Sequence, residues 1–354
     1  MNFSKQLRGG LKLILKGNIL ALTSERSLTA VSSAVYNGGF RKVKNILNVQ
    51  VPEGYDERLL HENPKQYVLE AVNKLNLNPE ETLGMITAAN VKDFAMVTAD
   101  EDDFSVTAVA TAGCSHAEAA GEPIKVTRFN HLGTINIIVA INGNPTENCL
   151  METFITATEA KAAGLRELDV RSAYSGDLAT GTITDALTIC STGEEPKANF
   201  GGPASRLGRL VGYCTREAVK RAVMKQTNIS FERSLLERLS ERKVPLEKLV
   251  SEILKVNALN LDEKSVVRRV MEKVRNDRFI ALLVLMAMKV DEDFARGLVP
   301  KELGDIKDLS CLSEKFRQIT LNSSCKTKNS ISIQNNSEYP FLTQILAGII
   351  ENGF

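Results

Sequence analysis

The feature that most limits how this chain can fold is a change of pattern near Asn228. Before it, strand-like runs alternate with helical ones; after it, apolar residues recur at helical spacing and no strand is predicted. A chain of 354 residues exceeds the usual size of one domain, so the change is read as a boundary between residues 1–228 and 229–354.

In the first part, LKLILK and ILALTS flank Gly17-Asn18, a pair that tolerates the backbone of a tight two-residue turn and so predicts a β-hairpin. Further strands are predicted at 94–99, 105–113, 134–142 and 186–191, with helices at 64–75 and 216–224. The mixture predicts an α/β or α+β domain with a mixed sheet and flanking helices, followed by a smaller all-α domain. The best-marked helix follows Asn142: Asn144 can cap it, Pro145 suits its first position, Glu147 completes a capping pattern and Gly164 ends it. Along it Leu150, Met151, Phe154 and Ile155 form an apolar stripe that Thr158, Glu159 and Ala162 continue, so Glu159 is expected to point toward the protein. In the second part, alternating charges mark surface helices, Pro245 opens a new one, 320–338 reads as a Ser/Asn/Lys-rich loop and 341–354 as a last helix.

Composition narrows the function classes. Lys plus Arg (44) and Asp plus Glu (43) nearly cancel, so no overall field draws the chain to nucleic acid or to an anionic membrane. Tryptophan is absent and aromatics make up 5%, which argues against base-stacking platforms. The six cysteines include no C-x-x-C pair and suit a reducing cytoplasm, and three histidines are too few for a histidine-rich metal cage. The longest apolar run, 279–288, is shorter than the roughly 20 residues that span a bilayer. The expectation is a cytoplasmic protein acting on a small molecule, without a nucleic-acid partner or a membrane span, and with homo-oligomerisation left open.

Three stretches carry candidate chemistry. After a predicted strand, Cys114 or Ser115 could act as nucleophile with His116 as base; the bland alternative is a turn in which Ser115 caps a helix. Strand alternation puts Asn136 and Asn142 on one face, where their amides could donate to a carbonyl or oxyanion, or merely satisfy nearby backbone. Residues 167–185 combine Arg171, Ser172, Ser175, Thr180, Thr182, Thr184 and Asp185 with Gly176 and Gly181, the composition of a polar ligand cleft. Asn37-Gly38-Gly39 is by itself a turn, and no nucleotide-binding glycine motif is present.

Taken together, SSAVYNGGF (32–40), ATAGCSHAEAAG (110–121), GTINIIVAIN (133–142), ITATEAKAAGLRELDVRS (155–172) and SGDLATGTITDAL (175–187) resemble the adenosylcobinamide amidohydrolases, the CbiZ family. The likeness spans roughly 11–225. It implies hydrolysis of the amide joining aminopropanol to the corrin ring, giving adenosylcobyric acid in cobamide salvage, with no cofactor beyond the cobalt of the corrinoid substrate. It further implies that the polar loop faces a corrinoid rimmed with amides. Substrate contacts are then expected from Asn37, Gly38, Gly39, Asn136, Asn142, Thr158, Lys161, Arg171, Ser175, Thr180, Gly181, Thr182 and Thr184. Water activated by Glu159 or Asp185 stands beside attack by Cys114 or Ser115 with His116 as base. A non-catalytic corrinoid carrier is the rival from another class.

The helical remainder, through 275–303 and 339–349, resembles soluble relatives of phosphatidylglycerophosphatase A that include archaeal α-ribazole-phosphate phosphatases. Together the two likenesses match a CbiS-like fusion of adenosylcobinamide hydrolase and α-ribazole phosphatase, a multifunctional enzyme. The second one departs from its family where Leu342-Thr343-Gln344 replaces acids that would bind a divalent metal, so weak or absent phosphatase activity is expected. Asp291, Glu292, Asp293, Arg296 and Lys301 are the groups from which another cluster could form.

Overall fold

The computed structural model describes residues 3–52, 54, 62–123, 133–227, 229, 232–298, 300–303, 315, 317, 319 and 338–353. His61, His131, Cys311, Cys325 and all but Glu338 of the expected 320–338 loop lie outside them. The chain divides into two compact units, Met1–Phe231 and Glu232–Phe354.

The first unit is built on a curled, mixed nine-stranded sheet. β1 (Phe3–Gln6) and β2 (Leu11–Lys16) lead through the Gly17-Asn18 turn into β3 (Ile19–Ser32), with Lys16 opposite Ile19 as the hairpin requires. β3 pairs along one edge with β4 (Gly39–Gln50), through a register shift between Thr23 and Leu28. Its other edge changes neighbour at that irregularity: β2 covers the first half and β12 (Ala186–Ser191) the second. Extra residues in one strand increase its bend and twist, and here they turn one long strand into the corner of the sheet. β5 (Thr82–Thr87) runs parallel to β4 beyond it. On the far side of β12 come β9 (Ile135–Asn142), parallel to it, then β7 (Phe104–Ala112) and β6 (Ala95–Glu101), both in antiparallel pairings.

β9 is buried on both faces, which explains its near-continuous apolar sequence. Ile135, Ile137, Val139 and Ile141 join a core shared with helices α2 (Glu147–Glu167) and α3 (Arg206–Gln226). Ile138 and Ala140 join a second core with Leu13, Leu20, Leu22 and Met85 from the curled arm. A third packs α1 (Pro64–Lys74) through Val68, Ala71 and Val72 onto β3 and β4. Two two-rung ladders complete the unit. β10 (Asn144–Pro145) pairs with β13 (Lys197–Ala198), and β8 (Ala117–Glu118) with β11 (Gly181–Thr182).

Two expectations for α2 are corrected. Its N-cap is Thr146, whose hydroxyl accepts from the Cys149 amide at 3.2 Å, because Asn144 and Pro145 are drawn into the ladder with β13. Gly164 lies inside the helix: a Cβ there would stand 3.1 Å from the Arg216 carbonyl of α3, so glycine allows a close helix crossing rather than ending the helix.

The second unit is helical in its described residues: α4 (Leu235–Glu241), α5 (Leu246–Val256), α6 (Glu263–Asn276), α7 (Arg278–Ala295) and α8 (Pro340–Gly353). They enclose a core of Leu249, Ile253, Val266, Val270, Val284, Ala287, Leu342, Ile345 and Leu346. Among the described residues no helix is long and apolar enough to cross a membrane.

Candidate active site

The parallel strands β9 and β12 begin side by side, with Asn136 opposite Ala186. Asp185 is the residue just before β12. Its Oδ1 accepts from the Ile135 backbone N–H at 2.9 Å, a donor at the very start of β9, and from the Thr182 hydroxyl. Its Oδ2 accepts from the Thr182 N–H at 3.1 Å and pairs with Lys161 Nζ from α2. Both side chains of this pair are largely shielded, at 14% exposure for Lys161 and 13% for Asp185. Gly181 makes the pairing feasible, since a Cβ there would lie 2.4 Å from Asp185 Oδ2 and 2.6 Å from Lys161 Nζ. Beside it the hydroxyls of Thr134 and Thr184 hydrogen-bond at 2.7 Å.

Lys161 opens onto a cavity of about 390 Å³. One wall comes from α2 through Thr158, Lys161 and Ala162, another from Thr180, Gly181 and Thr182, and the third from residues 118–122. The 118–122 segment is held by the β8–β11 ladder and by Thr180 Oγ1, which accepts from the Ala120 N–H at 2.9 Å. It carries two carboxylates. Burial pushes Glu122 up, but hydrogen bonds from Ser175, Ala119 and Ser172 outweigh it and hold the group below its ordinary range. Glu118 is raised, first by burial and then by the neighbouring charges of Glu122 and Asp185, against a lowering from His116. Cys114 lies behind the pair, and burial, reinforced by Asp185 and opposed by Lys161, pushes its thiol up to about 12. At neutral pH it is a protonated thiol, a weak nucleophile.

This arrangement offers a fixed cation, acids of differing proton affinity and hydroxyls around a polar cavity, the groups that amide hydrolysis uses. The sequence profile of the adenosylcobinamide amidohydrolases matches residues 5–231. The chain belongs to this family. An adenosylcobinamide amidohydrolase of Methanosarcina mazei is 30% identical over 220 residues, which cover 59% of this chain and 92% of the relative. One of Halobacterium salinarum is 26% identical over 198 residues, covering 53% and 77% respectively. An uncharacterized protein of Methanocaldococcus jannaschii is 28% identical over 209 residues, covering 54% and 81%. As a member of the family, the chain is a hydrolase acting on an amide.

Of the residues singled out from sequence, the amidohydrolase cavity gathers Thr158, Lys161, Thr180, Gly181 and Thr182, with Asp185 and Thr184 behind them. Glu159 is corrected: it lies on the exposed face of α2, as do Met151 and Ile155, because the buried face is formed by Cys149, Leu150, Thr153, Thr156, Ala157 and Ala160. Asn136 is also corrected as a donor to substrate. Both its N–H groups are taken up, by Asn48 Oδ1 and the Ile86 carbonyl at 2.8 Å each, and its oxygen accepts from the Ala186 N–H at 3.1 Å. Asn48 in turn donates to Thr111 Oγ1 at 2.9 Å, so this buried chain ties the curled arm to β9, β7 and β12. Asn142 lies six residues along β9, about 20 Å away, and accepts from the Thr192 hydroxyl at 3.3 Å.

Arg171 is buried and clamps Asp169 and the Gly176 carbonyl, organising the 167–185 loop from within. Ser175 caps the Asp177 N–H at 3.1 Å within that loop. Asn37 donates to the Pro79 and Thr82 carbonyls at 3.0 and 2.8 Å and, with Gly38 and Gly39, forms the turn from β3 to β4. Ser115 is exposed, with His116 Nδ1 3.4 Å from its hydroxyl. Glu118, Glu122 and Thr134 were not selected from sequence. Only the long-range pairing of β8 with β11 and of Thr134 with Thr184 brings them in, and neither leaves a local spacing signal.

Proposed function

We propose that this amidohydrolase cleaves the aminopropanol amide of adenosylcobinamide to give adenosylcobyric acid, with the aminopropanol arm of the corrinoid entering the cavity between α2, residues 180–182 and residues 118–122. The observation that carries the reading is the Lys161–Asp185 pair at the edge of a polar cavity, inside the span that matches the family. The reaction draws on the protein's own side chains, and the cobalt belongs to the substrate. Incubating the full chain with adenosylcobinamide and following the products by chromatography tests it: release of aminopropanol is expected. Tight corrinoid binding without release would establish the carrier instead.

For the helical unit, weak or absent phosphatase activity toward α-ribazole 5′-phosphate is the reading supported best. Among the described residues no group of three or more His, Cys, Asp or Glu could hold a metal ion. Asp291 is buried and accepts from the Phe341 and Leu342 N–H groups at 3.0 and 2.9 Å, while Glu292 pairs with Arg242 at 2.7 Å. These acids serve packing, and the described residues do not fit a divalent cation. Phosphate release measured with magnesium, manganese and zinc should stay at background; metal-dependent turnover lost in Asp291→Asn would establish a second activity.

A further inference from the structure

We propose that the Lys161 ammonium is the group that meets the carbonyl oxygen of the scissile amide as negative charge develops there, and that Asp185 is a positioning residue. This rests on the amidohydrolase reading of the same cavity.

Four donors converge on the Asp185 carboxylate: Lys161 Nζ, the Thr182 hydroxyl and the backbone N–H groups of Thr182 and Ile135. A carboxylate has about four lone-pair sites, so this one has none left to take a proton from attacking water. Lys161 is in the opposite position. Its ammonium has three donors, and Asp185 is its one described acceptor, so two remain for the cavity it lines. Among the described residues lining that cavity it is the sole cation. A lysine usually swings on a flexible four-carbon stem. Here the charge-assisted bond to Asp185 and the close approach of Gly181 fix the head before any substrate arrives. A preorganised, water-shielded donor at the site of developing charge is the kind of group that contributes most to such reactions.

In the hydrolytic step, the oxygen of water bonds to the carbonyl carbon, and the carbonyl π pair moves onto its oxygen beside Lys161 Nζ. That pair returns as the C–N bond breaks, and both protons of the water end on the departing nitrogen. The products are a carboxylate and an ammonium, and Lys161 keeps its proton throughout.

The test is steady-state hydrolysis of adenosylcobinamide by the full chain and by Lys161→Met, Lys161→Arg and Gly181→Ala, with corrinoid affinity from absorbance titration and melting followed in parallel. Lys161→Met should lower kcat by about a hundred-fold or more while Kd stays within about threefold. Lys161→Arg should recover part of that loss. Gly181→Ala removes neither charge but forces the pair apart, and should lower kcat likewise. A folded Lys161→Met with wild-type kcat overturns the proposal. If that variant does not fold, wild-type kcat in both Lys161→Arg and Gly181→Ala overturns it. A wild-type chain that binds the corrinoid and releases no aminopropanol sinks the amidohydrolase reading and the proposal with it.

Discussion

Asp185 in the first unit and Asp291 in the second are both shielded carboxylates that accept two backbone N–H groups, at least one of them at the start of another element. Asp185 meets Ile135 at the head of β9, and Asp291 meets Phe341 and Leu342 in the first turn of α8. Their surroundings differ. Asp185 has a cation beside it and a cavity in front of it. Asp291 is held by those backbone groups within an apolar core, and burial pushes it up from 3.8 to about 7 despite them. The same local device serves chemistry in one setting and splices two helices in the other. The deciding factor is what else the fold delivers to the carboxylate, not the carboxylate itself.

Exchanging the two acids for amides should give the largest contrast. Asp185→Asn is expected to lower amide hydrolysis by about 10²–10³, since it loosens the hold on Lys161, whereas Asp291→Asn should leave hydrolysis unchanged. Equal activity losses in both would erase the distinction. Next in size, Asn136→Ala should cost about 2–3 kcal/mol of stability in the first unit, seen in chemical denaturation, because it removes the side-chain bonds made to Asn48 Oδ1, the Ile86 carbonyl and the Ala186 N–H.

An effect of similar size lies in the pH dependence of the second unit. The folded chain holds the Asp291 proton more tightly than the unfolded chain does, so that contribution is complete below about pH 4 and is lost as pH rises through about 7. Melting followed from pH 5 to pH 8 should show a fall of at most about 1.4 kcal/mol per pH unit from this group, and Asp291→Asn should flatten it. A slope that persists in the variant would assign it elsewhere. The smallest expected changes are in Cys114→Ala and Glu159→Gln, whose kcat should stay within about threefold of wild type: one thiol is buried and protonated, and the other group faces away from the buried side of α2. A hundred-fold loss in either would move the chemistry away from Lys161.

Strong periodic signals made much of this fold legible. The hairpin at Gly17-Asn18 and the strands at 105–113, 134–142 and 186–191 appear nearly where the alternation placed them. The alternation predicts no strand at β4 or β5, and so omits the arm that curls over β9. The α2 stripe misled because Met151 and Ile155 are apolar yet exposed, while the small residues Thr153, Thr156, Ala157 and Ala160 do the burying. Helices that approach closely favour small side chains at the contact, so the hydrophobic face and the buried face part company. In the site, hydroxyls and glycines of the 167–185 loop pointed to a cleft, but which of them reach the cavity depends on Arg171 folding the loop inward and on a two-rung ladder to residues 117 and 118.

The same ladder bears on how substrate preference could drift. The Thr180 to Thr182 wall and Asp185 belong to one short stretch of chain, so altering this wall disturbs the reacting pair. The facing wall, 118–122, belongs to a segment some sixty residues earlier, joined to it by the ladder of Ala117 and Glu118 with Thr182 and Gly181, by the Ala120 N–H on Thr180 Oγ1 and by Glu122 accepting from the Ser172 hydroxyl. Substitutions there can reshape the entrance while leaving Lys161 and Asp185 where they are. Selection therefore has an adjustable margin and a fixed one, divided along a short hydrogen-bonded seam.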